Sequence, residues 1–173
     1  MDIKNITTRI EGKEFIVSRV FDAPRDLVWK AWTEPERMAK WWGPKGFILG
    51  VIKLDLRPGG VFHYSMKSPD GFEMWGKLVY REITPPERIV FVVSFSDQKC
   101  EITRHPMSAA WPLEVLNLVT LTEQDGSKTL VTIKGTPINA TEEEINTFLG
   151  GYESMQKGFA GTFDQLAEYL AKA

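Results

Sequence analysis

Residues 141–172, TEEEINTFLGGYESMQKGFAGTFDQLAEYLAK, carry the pattern from which the rest of the chain is read. Ile145, Phe148, Leu149, Tyr152, Met155, Phe159, Phe163, Leu166 and Leu170 recur at steps of three and four, which places them along one face of a helix. Thr141 and Glu144 have the spacing of a capping box, and Glu142 and Glu143 suit the positive helix end. Each apolar side chain of the stripe is worth about 1.5–3 kcal/mol when fully buried, so the helix needs a large apolar partner. Gly150, Gly151, Gly158 and Gly161 interrupt it at roughly 1 kcal/mol each relative to alanine. Either a backbone or a ligand approaches closely at those positions, or the helix bends or restarts near Gly150-Gly151.

That partner is a sheet. Residues 13–21, KEFIVSRVF, alternate as a first strand. Pro24 then opens a short helix with Leu27, Val28, Ala31 and Trp32 on one side, and Thr33, Pro35 and Glu36 read as a second capping box before another short helix ending at Trp41. Gly43-Pro44 passes the chain into an extended run from Phe47 to Leu56. Arg57-Pro58-Gly59-Gly60 turns it into VFHYSM, and Pro69-Asp70-Gly71 into FEMWGKLVYREI. Arg88–Phe95 is apolar on both faces, as a central strand is, and LEVLNLVTLT and KTLVTIKGT form a closing hairpin. The pattern predicts an α+β fold: a curved, antiparallel, seven-stranded sheet wrapped around a long C-terminal helix, with two short helices between strands one and two.

The whole 173-residue length, with 43% hydrophobic and 25% charged residues, suits one soluble domain over 1–173. A net charge of −2 offers no field for nucleic acid. The start, MDIKNITTRI, has no long apolar segment, and no run reaches membrane-spanning length. The single cysteine, Cys100, forms no internal disulfide and fits a reducing cytoplasm. His63 and His105 are the only histidines and lack metal-ligand spacing, so no metal or cofactor is expected.

The ordered motifs Phe21-Asp22-Ala23-Pro24, Val28-Trp29, Thr33 to Pro35, Trp41-Trp42-Gly43-Pro44, Asp55 to Gly60 and Pro69-Asp70-Gly71 strongly resemble bacterial relatives of the activator of the heat-shock-protein-ninety ATPase. These belong to the START-like superfamily, which includes polyketide cyclases and the birch-pollen allergen. The resemblance implies a helix-grip fold whose sheet and long helix often enclose a cavity for hydrophobic small molecules.

Strand alternation groups Phe62 with Tyr64 and Met66, Phe72 with Met74 and Gly76, and Phe91 with Val93 and Phe95. Asn117 is a polar member of the Val115, Val119, Leu121 face. With Trp42, Trp111 and the helix residues Phe148, Tyr152, Met155 and Phe159, they supply the expected ligand-binding set: Trp42, Phe62, Tyr64, Met74, Gly76, Phe91, Val93, Trp111, Asn117, Phe148, Tyr152, Met155 and Phe159. The long segment from Ser96 to Pro112 is a candidate gate. No catalytic residue is assigned, although Glu73, Glu114 and His63 would be the proton carriers of a cyclase or hydratase. The expected partner is thus a hydrophobic, lipid- or polyketide-like small molecule. The alternatives are such an enzyme and a co-chaperone-like interaction module, and a homodimer is compatible with the chain.

Overall fold

The computed structural model describes residues 6–173. Residues 1–5, part of the start read above for a leader, lie outside the described residues. In chain order the elements are β1 (Thr7–Glu11), β2 (Glu14–Phe21), α1 (Arg25–Thr33), α2 (Pro35–Trp41), β3 (Ile48–Leu54), β4 (Val61–Lys67), β5 (Glu73–Thr84) and β6 (Arg88–Ser96). They continue as β7 (Glu114–Gln124), β8 (Lys128–Ile138), α3 (Glu142–Gly150) and α4 (Tyr152–Lys172). The strands form one antiparallel sheet of eight in the order β1-β2-β8-β7-β6-β5-β4-β3. Strands β3 to β8 run as a meander. The α1–α2 pair carries the chain from β2 to β3 at the opposite edge.

The architecture is the α+β, helix-grip arrangement, with one strand more than the seven expected. The extra strand, β1, pairs with β2 through Thr7↔Ser18 to Glu11↔Glu14. Its residues TTRIE are too polar for a strong alternation signal. The turn residue Gly12 has φ +62, which suits a two-residue hairpin.

The terminal helix is broken rather than continuous. Thr141 caps α3 by accepting from the Glu144 N–H, and the Glu144 carboxylate accepts from the Thr141 N–H in return. Gly151 then separates α3 from α4. A Cβ at Gly151 would lie 3.1 Å from the Trp111 ring, a tight approach that the glycine relieves. The second capping box does not form. Thr33 ends α1, and its hydroxyl donates to the Trp29 carbonyl at 2.8 Å, leaving Glu34 and Pro35 to start α2.

The C-terminal half of α4 lies against a solid core. Phe163, Leu166 and Leu170 are buried, and Phe163 meets Phe21 of β2 edge to face at 5.4 Å. Trp32 and Trp41 pack at 4.7 Å within the helix pair, where the Trp41 indole donates to the Ala31 carbonyl. Hydrogen bonds then tie α4 to the chain leaving α2: the Gln165 amide donates to the carbonyls of Trp41 and Gly43, and the Thr162 hydroxyl to that of Gly43. These bonds fix the position of Trp42-Gly43-Pro44.

Tyr80 is 2% exposed, and its hydroxyl has no hydrogen-bond partner among the described residues. An unsatisfied buried hydroxyl costs about 1–3 kcal/mol. Tyr80→Phe is therefore expected to raise stability by about 1 kcal/mol, read as a higher urea midpoint at unchanged slope. A lower midpoint would contradict this account of the core.

Candidate functional site

Moving along α4 toward its N-terminus, the helix face passes from the solid core to a cavity of about 300 Å³ between it and the sheet. Met155, Gly158, Phe159 and Thr162 line it from the helix, and Tyr64, Met66, Met74, Gly76, Val93, Ser94, Phe95 and Val115 from the sheet. Trp42-Gly43-Pro44 and Trp111-Pro112 complete the wall. Residues 155, 158, 159 and 162 share one helical face. The volume is at the lower end of the range for ligand pockets.

Chemically the wall is uniform. The lining contains no Asp, Glu, Lys, Arg or His among the described residues. Its best-placed polar group is Tyr64, 4% exposed. Tyr64 stands directly across from Gly76 in the β4–β5 register. A Cβ at Gly76 would come within 2.7 Å of the Tyr64 ring carbon Cζ and hydroxyl, so the ring lies down on the glycine backbone. The Trp42 and Tyr64 rings meet at 89° with centroids 6.4 Å apart. Burial pushes the Tyr64 hydroxyl up to about 12, an effect only partly offset by the neighbouring Trp42 indole.

Eight of the expected binding residues therefore meet in one place: Trp42, Tyr64, Met74, Gly76, Val93, Trp111, Met155 and Phe159. The other five, Phe62, Phe91, Asn117, Phe148 and Tyr152, do not line the cavity. Phe62 is fully buried behind Tyr64, with ring centroids 4.8 Å apart. Phe91 packs on Tyr80. Asn117 lies over Gly135 and donates to the Val115 carbonyl. Phe148 packs on Trp111 at 5.4 Å. The Tyr152 hydroxyl is 2.6 Å from that of Thr8 on β1, a strand that was not expected.

The residues omitted from the expected set divide by signal, apart from Ser94, which lies between Val93 and Phe95 and which alternation puts on the opposite face. Met66, Phe95 and Val115 share strand faces with members of it, and helical spacing from Met155 reaches Gly158 and Thr162. Gly43, Pro44 and Pro112 are set by how loops fold back, for which the sequence has no periodic signal.

The three proton-carrier candidates lie elsewhere. His63 projects from the opposite face of β4 to Tyr64, is buried, and its Nε2 lies 3.1 Å from the Asp97 carbonyl oxygen. Glu73 is exposed on β5, and Glu114 accepts from the Asn139 amide at 3.4 Å.

The segment between β6 and β7 is ordered by local bonds. The Asp97 carboxylate accepts from the N–H groups of Lys99 and Glu101, and the Lys77 ammonium donates to the Cys100 carbonyl at 3.0 Å. Arg104 pairs with Glu144, the capping residue of α3. His105 packs on Phe95 at 4.6 Å and on Trp111 at 6.1 Å, and burial lowers its pKa.

Gly76→Ala should displace the Tyr64 ring and destabilise the fold by about 1–3 kcal/mol. In a Tyr64→Leu background the same change should cost much less, and equal costs in both backgrounds would contradict the close approach. A second measurement concerns pH. The unfolded Tyr64 hydroxyl releases its proton near 10.0 and the folded one near 12, so folding stability should fall as pH rises through that window. Urea denaturation should show a shallower decline above pH 10 for Tyr64→Phe than for the unaltered chain.

Comparison with known proteins agrees with this fold. Protein Ms6760 from Mycobacterium smegmatis is 25% identical with a TM-score of 0.76, the match covering 98% of this chain and 97% of that one. A protein from Arthrobacter aurescens solved by NMR is 22% identical with a TM-score of 0.80, covering 96% and 92% of the two chains. The AHSA1 protein from Silicibacter pomeroyi has the same fold at 15% identity and a TM-score of 0.68, covering 91% and 97%. No curated protein matches the chain at a significant level. The model of the family described as activator of Hsp90 ATPase homolog 1-like protein matches residues 22–171, nearly the whole chain, and the protein belongs to that family.

Proposed function

We propose that the protein binds a hydrophobic small molecule, lipid-like or polyketide-like in its apolar character, in the cavity between the sheet and α4. The observation that carries this reading is the lining: about 300 Å³ walled mainly by aromatic, aliphatic and thioether side chains, with no Asp, Glu, His, Lys or Arg among the described residues. Trp42, Tyr64, Met74, Gly76, Val93, Trp111, Met155 and Phe159 form the contact surface, and binding energy comes from burying the ligand's apolar area.

Residues 1–173 act as one domain in this reading, in the reducing cytoplasm. Trp111-Pro112, at the end of the segment joining β6 to β7, gates the ligand's path. Binding without turnover is favoured over a cyclase or hydratase, because Glu73, Glu114 and His63 are absent from the lining and Tyr64 stays protonated up to about pH 12.

The test uses Gly158. It lines the cavity, and a Cβ built there meets nothing within 4 Å, so a side chain at this position would project into free space. Gly158→Leu should stabilise the helix by about 1 kcal/mol while obstructing the site. The neutral apolar dye phenylnaphthylamine should bind the unaltered protein with enhanced fluorescence and bind the variant about tenfold more weakly. Failure of the unaltered protein to bind the dye, or equal binding by a folded variant, would reject the reading. A variant with lower thermal stability would contradict the open space over Gly158.

A further inference from the structure

The cavity does not end the inner face of the sheet. Beside it, toward the segment joining β6 to β7, lies a groove of about 340 Å³. Two stripes of side chains run through both spaces. Phe72, Met74 and Gly76 follow one another on one face of the chain entering β5, and Val93, Phe95 and Asp97 on one face of the chain leaving β6. Gly76 and Val93 line the cavity, Phe72 and Asp97 line the groove, and Met74 and Phe95 line both. Cavity and groove are therefore successive stretches of one trough, divided by two side chains. Those two differ in freedom. Phe95 is held by the His105 ring, with centroids 4.6 Å apart. Met74 is half-buried and unbranched, with three rotatable bonds, so it can swing aside at little cost.

The chemistry changes across this divide. The groove adds Asp97, Gln98, Thr103 and Arg104 to its wall, whereas the cavity lining has no charged side chain among the described residues. At another border of the cavity, Pro44 and Gly158 are exposed and carry no polar side-chain atom. We propose that cavity and groove form one elongated site for a linear amphiphile, its apolar body in the cavity and its polar end in the groove beyond Met74 and Phe95. This rests on the small-molecule reading of the cavity and adds the ligand's length and direction. A compact apolar molecule would fill the first stretch and leave the second empty, so chain length becomes the property the site discriminates.

The test is a series of straight-chain alcohols, hexanol to dodecanol, competing with phenylnaphthylamine. Each methylene that finds apolar contact should tighten binding by about fourfold, and in the unaltered protein this rise should continue to the longest chain. Thr103→Trp fills the groove from a position that does not line the cavity, and the Thr103 backbone N–H keeps its bond to the Phe95 carbonyl. The variant should bind hexanol as before and dodecanol about tenfold more weakly. Gln98→Trp, exposed and also lining only the groove, replaces it if it does not fold. Direction is read separately with a nitroxide radical esterified to decanoic acid, whose polar end should broaden the amide resonances of Gln98 and Thr103 more than those of Lys45 and Gly158. A rise that stops at the same short chain in the unaltered protein and the variant, one that continues unchanged in a folded variant, or strongest broadening at Lys45 and Gly158 would each overturn the elongated site while leaving an apolar cavity in place. Alcohols that fail to displace bound dye would do the same. A dye that does not bind the unaltered protein would reject the small-molecule reading and this inference with it.

Discussion

One stripe of apolar side chains on α4 has to be covered by a sheet that curves, and the two surfaces meet fully over only part of their length. At the C-terminal end, Phe163, Leu166 and Leu170 sink into a core closed by Phe21 and the helix pair. Further toward the N-terminus, Met155 and Phe159 are only partly buried and border the cavity. The same periodicity thus does two jobs. Where the surfaces touch it supplies stability, and where they diverge it leaves a site. The hydrogen bonds from Thr162 and Gln165 to Gly43 and Trp41 sit near the boundary and keep the chain after α2 from sliding into the gap.

The site's polarity depends on a second contact of the same economy. Gly76 sits in mid-strand, where a glycine weakens a sheet, and the ring of Tyr64 occupies the room its missing side chain leaves. Lying flat, the ring stays buried beside the Trp42 indole rather than reaching solvent. A similar close approach occurs where Trp111 packs against Gly151, the residue between α3 and α4. In both places a loss of local propensity is answered by an aromatic contact that shapes the cavity wall.

Much of this was legible without coordinates. Alternation and turn residues identified the sheet, the capping box located the start of α3, and the ordered motifs pointed to the family. Errors came where local signals were weak or shared. Thr7, Thr8, Arg9 and Glu11 leave too little apolar alternation to mark β1, and helical spacing alone puts Tyr152 on the cavity face although its hydroxyl reaches Thr8. Thr33 has the spacing of a cap, yet its hydroxyl was claimed by the preceding turn of α1. Phe62 and Phe91 were placed on the right strand faces but in the wrong part of them, since period two says which face a residue takes and nothing about where the sheet curves away.

By itself, then, the amino-acid order determined the elements, the inward faces and the identity of the apolar stripe, because these follow from local periodicity and turn chemistry. Only the tertiary structure decided where the stripe meets a solid wall and where it meets a cavity, that His63 and Glu73 lie outside that cavity, and that Tyr64 rests on Gly76 beneath Trp42. Those outcomes depend on sheet curvature and on contacts between residues far apart in the chain, and no local pattern encodes the distance between two packed surfaces.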